Sequence, residues 1–165
     1  MKKFFVSALL GVSLLSFGGC SILNYYSYLP SGDTPFRVHP LGMKVYNMSG
    51  KDYTEKDWEL AFFIIGSAYE AFKKCANVTD PVLDRELRSA NIVIISPAPI
   101  TIYDDGDAFA FTDLGSIFIK SNYLDIDTLE AEWSHDYLFF TDQALFGDPT
   151  HQSELFTKCR SSHSL

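Results

Sequence analysis

Apolar residues first recur at helical spacing just beyond residue 50. Thr54 and Asp57 stand three residues apart, which is the arrangement of a capping box with Thr54 as the N-cap. Lys73 and Lys74 suit the negative end of the helix dipole. The pattern therefore predicts a helix over residues 54–75, with a core-facing stripe of apolar residues: Trp58, Ala61, Phe62, Ile65, Tyr69 and Phe72.

A second apolar stripe at helical spacing lies in the last third of the chain: Leu129, Trp133, Tyr137 and Phe140. Asp127 precedes it, and Glu130 follows Asp127 by three residues as a second capping-box partner. These features predict a helix over residues 127–140. A shorter helical segment is expected near residues 81–89, and the polar tail from Gly147 to Cys159 is expected to become partly helical.

Short runs rich in β-branched and aromatic residues predict strands between these helices. The clearest is residues 91–96 (NIVIIS), which prolines bound on the C-terminal side. Residues 44–47 form another short strand, and residues 108–112 and 116–120 form a strand pair. The chain order of helix, strand, strand pair and helix indicates an α+β domain with a small mixed sheet.

The first twenty residues are organised like a secretory leader. Two lysines precede a 14-residue apolar stretch over residues 4–17, which is too short to span a bilayer as a helix. Two glycines then lead into Cys20. This ending resembles the bacterial lipobox, in which the cysteine is lipidated and becomes the new N-terminus, although Phe17 stands where an aliphatic residue is usual. An ordinary signal peptide with an incidental cysteine is the alternative.

The lipobox resemblance implies a membrane anchor. Residues 1–19 would be removed, Cys20 would carry the lipid, and two or more acyl chains give stable anchoring. Residues 20–36 lack periodicity, contain two prolines, and are expected to form a tether for a domain over residues 37–165. Ser21 rather than Asp follows the cysteine. By the same resemblance, this favours the outer membrane, facing the periplasm.

The charge balance bears on the choice of partners. The chain has 13 basic and 21 acidic residues, and loss of the two leader lysines leaves 11 − 21 = −10. No basic patch is present in the sequence, so nucleic acid is not an expected partner.

Cysteine usage fits an oxidising compartment. With Cys20 assigned to lipid, Cys75 and Cys159 remain, and the cell envelope permits a disulfide between them. Two buried thiols are the alternative.

The predicted helix over residues 127–140 contains the sequence LEAEWSHD. Zincin metallopeptidases carry His-Glu-x-x-His on a helix, where two histidines bind zinc and the glutamate acts as general base. Glu132 and His135 match the glutamate and the second histidine, whereas Ala131 stands at the first. Downstream, residues 146–156 resemble the segment that returns a third ligand in small zincins, with His151 sixteen residues past His135.

This resemblance covers about residues 44–159 and implies a zincin-like fold with zinc as cofactor. It implies that Glu132 is the catalytic base and that His135 and His151 are zinc ligands. Because Ala131 has no ligand atom, we expect weak zinc binding and low or absent peptide hydrolysis. Glu130 is one alternative ligand, but it lies about 100° around the helix from Ala131.

Other roles remain open at this stage. Asp148 and Glu154 are further alternative ligands, and Asp136 is either a surface charge or a partner that orients a ligand. The domain is alternatively a non-catalytic envelope lipoprotein that binds a peptide or protein partner. If the zincin resemblance is accidental, Glu132, His135 and His151 are not expected to converge in space. A separation of more than about 10 Å between the two imidazoles would exclude the zincin interpretation, since Zn–N bonds are only about 2.0–2.1 Å.

Overall fold

The fold is taken from a computed structural model that describes residues 30–99, 110–113, 115–141, 143, 148 and 151–160. Within these residues the strands are β1 (Phe36–Val38), β2 (Lys44–Met48), β3 (Asn91–Ile95), β4 (Ala110–Asp113) and β5 (Ser116–Lys120). The helices are α1 (Glu55–Ala76), α2 (Pro81–Arg88), α3 (Ile126–Phe140) and α4 (Glu154–Arg160), with a 3₁₀ turn at Ser121–Tyr123. Among these residues, none of the helices combines the length and the apolar character that crossing a bilayer requires.

The strands form one five-stranded mixed sheet in the order β1-β2-β3-β5-β4. The three central strands are parallel, with Val93 of β3 opposite both Tyr46 of β2 and Phe118 of β5. The two outer strands, β1 and β4, are antiparallel to their neighbours. The α+β class and the small mixed sheet are therefore confirmed.

Alternation along the central strands gives the sheet two buried faces. One face carries Val45, Ile92 and Ile117 and packs against both α1 and α3 in the main core. The other face carries a smaller buried cluster, in which Phe111 stacks on Phe118 with ring centroids 4.5 Å apart. Burial on both faces is typical of parallel strands and explains their continuous apolar sequences.

Helix α1 confirms the prediction from the first apolar stripe. The Asp57 amide donates to the Thr54 hydroxyl (3.3 Å), and the Thr54 amide donates back to the Asp57 carboxylate (2.8 Å), which completes the capping box. The helix ends at Ala76 and is capped by Asn77, whose φ of 55° lies in the left-handed region. Its core-facing residues are buried: Ala61, Ile65, Ala68, Tyr69 and Phe72.

Helix α3 begins earlier than predicted. Asp125 is the N-cap and its carboxylate accepts from the Thr128 amide (2.8 Å), so the predicted cap at Asp127 is wrong. Glu130, the predicted capping partner, is instead fully buried. The helix packs against α1 through Trp133, whose ring lies 5.2 Å from that of Tyr69. The α1–α3 contact thus fixes the orientation of α3 on the sheet.

The C-terminal part of the fold is covalently joined to α1. Cys75 and Cys159 form the predicted disulfide, with their Cα atoms 5.5 Å apart. This bond ties α4 to the end of α1. On its other side α4 packs on α3, where Phe156 shares a buried cluster with Ala131 and Leu138.

Strand boundaries show the limits of the sequence prediction. β1 was not predicted, and its first residue, Phe36, falls in the proposed tether. β1 has only three residues, all of them exposed, so it is too short to be recognised from its sequence, and pairing with β2 defines it. The predicted strand over residues 108–112 is present from Ala110, while 108 and 109 lie outside the described residues.

Candidate functional site

The structure brings together the two histidines that the sequence singles out. The Nε2 atoms of His135 and His151 are 3.0 Å apart, and the ring centroids are 4.8 Å apart. Two nitrogens bound to one tetrahedral zinc ion lie roughly 3.3 Å apart, given Zn–N bonds of about 2.0–2.1 Å. The separation of more than about 10 Å that would exclude a shared zinc ion is not observed.

His151 is placed by a tight turn ahead of α4. Its amide donates to the Asp148 carbonyl (3.0 Å), and the Ser153 amide donates to the Asp148 carboxylate (2.6 Å). His151 itself has φ 53°, in the left-handed region that few residues with a side chain adopt. Such a conformation persists only where surrounding contacts hold it, at a cost of about 1–3 kcal/mol. The turn therefore directs the His151 imidazole toward α3.

Phe156 is the main contact between these imidazoles and α4. Its ring centroid lies 4.7 Å from that of His135 and 4.7 Å from that of His151. Phe156 is 5% exposed and belongs to the cluster that contains Ala131. At the position of the first motif histidine the chain thus has a methyl group in an apolar cluster. The role of Phe156 was not predicted, because nothing in its local sequence pattern relates it to α3.

Glu132 faces the edge of the sheet. It is 6% exposed, and its carboxylate accepts a hydrogen bond from the Thr112 hydroxyl of β4 (2.7 Å). The same hydroxyl lies 3.3 Å from the Glu132 carbonyl. His135 is three residues further along α3, so the two side chains are neighbours on the helix surface. Glu132 is therefore held between the helix and β4 and is not a solvated surface charge.

Asp136 is buried, which contradicts its interpretation as a surface charge. Its side chain is 5% exposed, and Oδ2 has no hydrogen-bond partner among the described residues. Burial raises the pKa of this carboxyl from 3.8 to about 7, because the charged form loses its hydration. Asp136 lies one helical turn beyond Glu132, so α3 presents two buried carboxyl groups on one side.

The alternative ligands do not join the two imidazoles. Glu130 is fully buried and lies roughly 140° around the helix from His135, at about 100° per residue. The Asp148 carboxylate accepts from a backbone amide, and Glu154 is exposed on α4. In the part of the chain that the structure describes, no group of three or more potential ligands is arranged to hold a metal.

The donor set therefore fits a metal ion only in part. Catalytic zinc requires three protein ligands and a water, and two imidazoles supply two of these four positions. Imidazole nitrogens bind Zn²⁺, Cu²⁺ and Ni²⁺, so the pair is chemically suited to a divalent transition metal held weakly. His151 is exposed and His135 is half-buried, which leaves the pair open to an ion from solvent.

A cleft of about 460 Å³ lies elsewhere, at the carboxyl ends of β2 and β5. Ser49, Tyr53, Leu60 and Leu124 are among the residues that line it, and neither histidine does. The candidate site is thus an open position on the surface of α3, and this cleft is not part of it.

Comparisons with known proteins place the chain in no family. No family model matches it, and neither a curated protein nor a solved structure shows significant similarity.

Proposed function

We propose that this protein is an envelope lipoprotein whose domain is a degenerate zincin. In this proposal the domain keeps a two-histidine site for a divalent transition metal but does not hydrolyse peptides efficiently. The observation that carries the proposal is the 3.0 Å approach of the Nε2 atoms of His135 and His151, which are sixteen residues apart in the chain. Without a metal, this contact is a hydrogen bond in which the Nε2–H of one imidazole donates to Nε2 of the other, and a metal ion would take the place of that proton.

The arrangement of α3 beside the sheet edge supports the zincin part of the proposal. In zincins an edge strand lines the cleft, and the motif helix follows the next strand. Here α3 follows β5, and the antiparallel strand β4 contacts α3 through the Thr112–Glu132 hydrogen bond. Helix α1 packs on the same face of the sheet as α3.

Ala131 accounts for the loss of catalysis in this proposal. A metal held by His135 and His151 lacks the third protein ligand of catalytic zinc sites. The apolar cluster of Ala131 and Phe156 occupies the side of α3 where that ligand would stand. We therefore assign metal binding to this chain, and we expect no efficient hydrolysis.

The lipid anchor is a separate part of the proposal and rests on the first twenty residues. Lipid on Cys20 would attach the protein to the outer membrane, facing the periplasm, and residues 20–36 would link it to the domain. The structure describes the chain from Pro30 onward. Labelling with radioactive palmitate, compared between the native chain and Cys20→Ala, tests this part by itself.

Zinc titration of residues 21–165 against a chromophoric chelator tests the metal site. We expect about one weakly held ion per chain, lost in His135→Ala and in His151→Ala and kept in His163→Ala. Ala131→His adds an imidazole one turn before His135, and we expect about tenfold tighter binding or more. Zinc binding that survives removal of both site histidines would refute the assignment.

A second candidate function is binding of a peptide or protein without metal. Among the described strands β4 pairs with β5 alone, and sheet edges bind extended peptides through main-chain hydrogen bonds. Phe139, one turn beyond His135, is 55% exposed and adds apolar surface beside the site. Peptide binding that persists in His151→Ala without zinc would favour this candidate over the first.

A further inference from the structure

Helix α4 connects the disulfide to the two histidines. It has seven residues, begins three residues after His151, and carries both Phe156 and Cys159. Phe156 contacts both imidazoles, and Cys159 is bonded to Cys75 at the end of α1. The position of His151 relative to α3 therefore depends on whether α4 stays docked.

The docking of α4 depends strongly on its covalent bond. Isolated helices shorter than about 12 residues are marginal in water, so α4 has little stability of its own. Its buried side chains are Phe156 and Cys159, with Leu155 partly buried. Of these, Cys159 is held by the disulfide itself.

The buried members of the main core all lie outside α4, between Met43 and Trp133. From α4, Leu155 packs against this core and is only partly buried. The rings of Trp133 and Tyr69 join α3 to α1 without any residue of α4. Loss of α4 from its position is therefore compatible with a folded sheet and a folded α3.

We propose that the Cys75–Cys159 disulfide is a redox control of the two-histidine metal site, and this inference rests on the function proposed above. With the disulfide formed, α4 holds Phe156 against the imidazoles and keeps His151 next to His135. With the disulfide reduced, α4 and His151 separate from α3, and a metal ion keeps a single protein ligand. Metal affinity thus follows the redox state of the compartment.

The reductant is a dithiol, such as the active site of a thiol–disulfide oxidoreductase. Its first thiolate attacks Sγ of Cys75, because Cys75 is partly exposed whereas Cys159 is 1% exposed. The S–S bond breaks, Cys159 leaves as a thiolate and takes up a proton, and a mixed disulfide forms on Cys75. The second thiol of the reductant then attacks its own sulfur in that mixed disulfide. Cys75 leaves and is protonated, so two electrons have passed to the protein and the reductant is oxidised.

The test compares the full-length protein, purified in detergent, with Cys75→Ser/Cys159→Ser, which mimics the open state without thiol ligands. Zinc affinity is measured by competition with a chromophoric chelator, and hydrogen exchange is measured over α3 and α4. We expect about tenfold weaker zinc binding or more in the double variant. We also expect α4 to open with a lower free energy than α3 in the double variant, as measured by exchange.

The His151→Ala background separates this inference from simple destabilisation. Removing the disulfide there should leave the residual zinc affinity unchanged, because the ligand that it controls is already absent. Equal zinc affinity with and without the disulfide in the native background would overturn the inference and leave the proposed metal site intact. Equal free energies of opening for α3 and α4 in the double variant would overturn it too, since α4 would then be part of one cooperative core. Absence of zinc binding in the oxidised native chain would instead overturn the proposed function.

Discussion

Replacement of Asp136 by asparagine should change the pH dependence of folding in a defined way. The carboxyl group is buried on α3, and its Oδ2 has no hydrogen-bond partner among the described residues. Burial raises its pKa from 3.8 to about 7. Asparagine has nearly the same shape and no ionisation, so Asp136→Asn removes the proton equilibrium and keeps the volume.

Whether the free energy of unfolding rises or falls with pH depends on whether the folded or the unfolded chain holds the proton of Asp136 more tightly. Below about pH 4 the carboxyl is protonated in both the folded and the unfolded chain, so its ionisation does not change the free energy of unfolding. Between about pH 4 and pH 7 the unfolded chain releases the proton while the folded chain keeps it, so the free energy of unfolding falls by 1.36 kcal/mol per pH unit. The span from 3.8 to about 7 therefore corresponds to about 4 kcal/mol lost by pH 8. Domains are stable by only about 5–15 kcal/mol, so this loss is large.

Urea denaturation of residues 21–165 at several pH values measures the effect. The free energy of unfolding of Asp136→Asn relative to the native chain should be higher at pH 8 than at pH 4 by about 4 kcal/mol, with most of the change between pH 4 and pH 7. The absolute difference at any one pH also contains the cost of burying the amide, so the change with pH is the quantity to compare. Asp52→Asn, at an exposed carboxyl, is the matched control. An identical pH dependence in Asp136→Asn and the native chain would refute the argument that burial alone sets the ionisation of this group.

Three further predictions concern the attachment of α4 and the contact of α3 with the sheet edge. Replacing Cys75 and Cys159 by serine should lower the free energy of unfolding by about 4.5 kcal/mol in the chain-entropy model, because the bond closes a loop of 84 residues; urea denaturation of the oxidised proteins measures it, and a loss below about 1 kcal/mol would contradict this. Phe156→Ala should lower the free energy of unfolding by about 3 kcal/mol and weaken zinc binding, since one buried ring packs on both imidazoles. Unchanged zinc affinity, measured by chelator competition, would show that the ring does not position the two histidines. Thr112→Val should lower the free energy of unfolding by about 1–3 kcal/mol at neutral pH, because the buried Glu132 carboxylate loses its hydroxyl donor. Thr112→Ser keeps the hydroxyl and should avoid most of that loss in the same denaturation assay.

Local sequence patterns were sufficient for the regular elements of the core. The capping box at Thr54 and the apolar stripe after it predicted α1, because both depend on residues three or four positions apart. The apolar runs over residues 91–96 and 116–120 predicted the strands β3 and β5 for a similar reason. The pairing of Cys75 with Cys159 followed from cysteine count once Cys20 was assigned to lipid, and the structure confirms it.

The boundaries that were missed depend on partners distant in the chain. β1 has only three residues, all of them exposed, and is defined by its pairing with β2. Glu130 was assigned to a helix cap by its spacing from Asp127, although α3 starts at Ile126 and buries Glu130. Sequence spacing describes a helix without its surroundings, so it cannot say which side faces the sheet.

The candidate site also has features that the sequence predicts and features that only the tertiary structure decides. The sequence by itself determined the residue types on α3, including Glu132 and His135, and the absence of an imidazole at Ala131. Only the tertiary structure decided that His151 lies within 3.0 Å of His135, that Thr112 binds Glu132, and that Asp136 is buried. The physical reason is that local periodicity sets which side chains share a helix face. What that face meets is set by long-range packing of α1, β4 and α4 around α3.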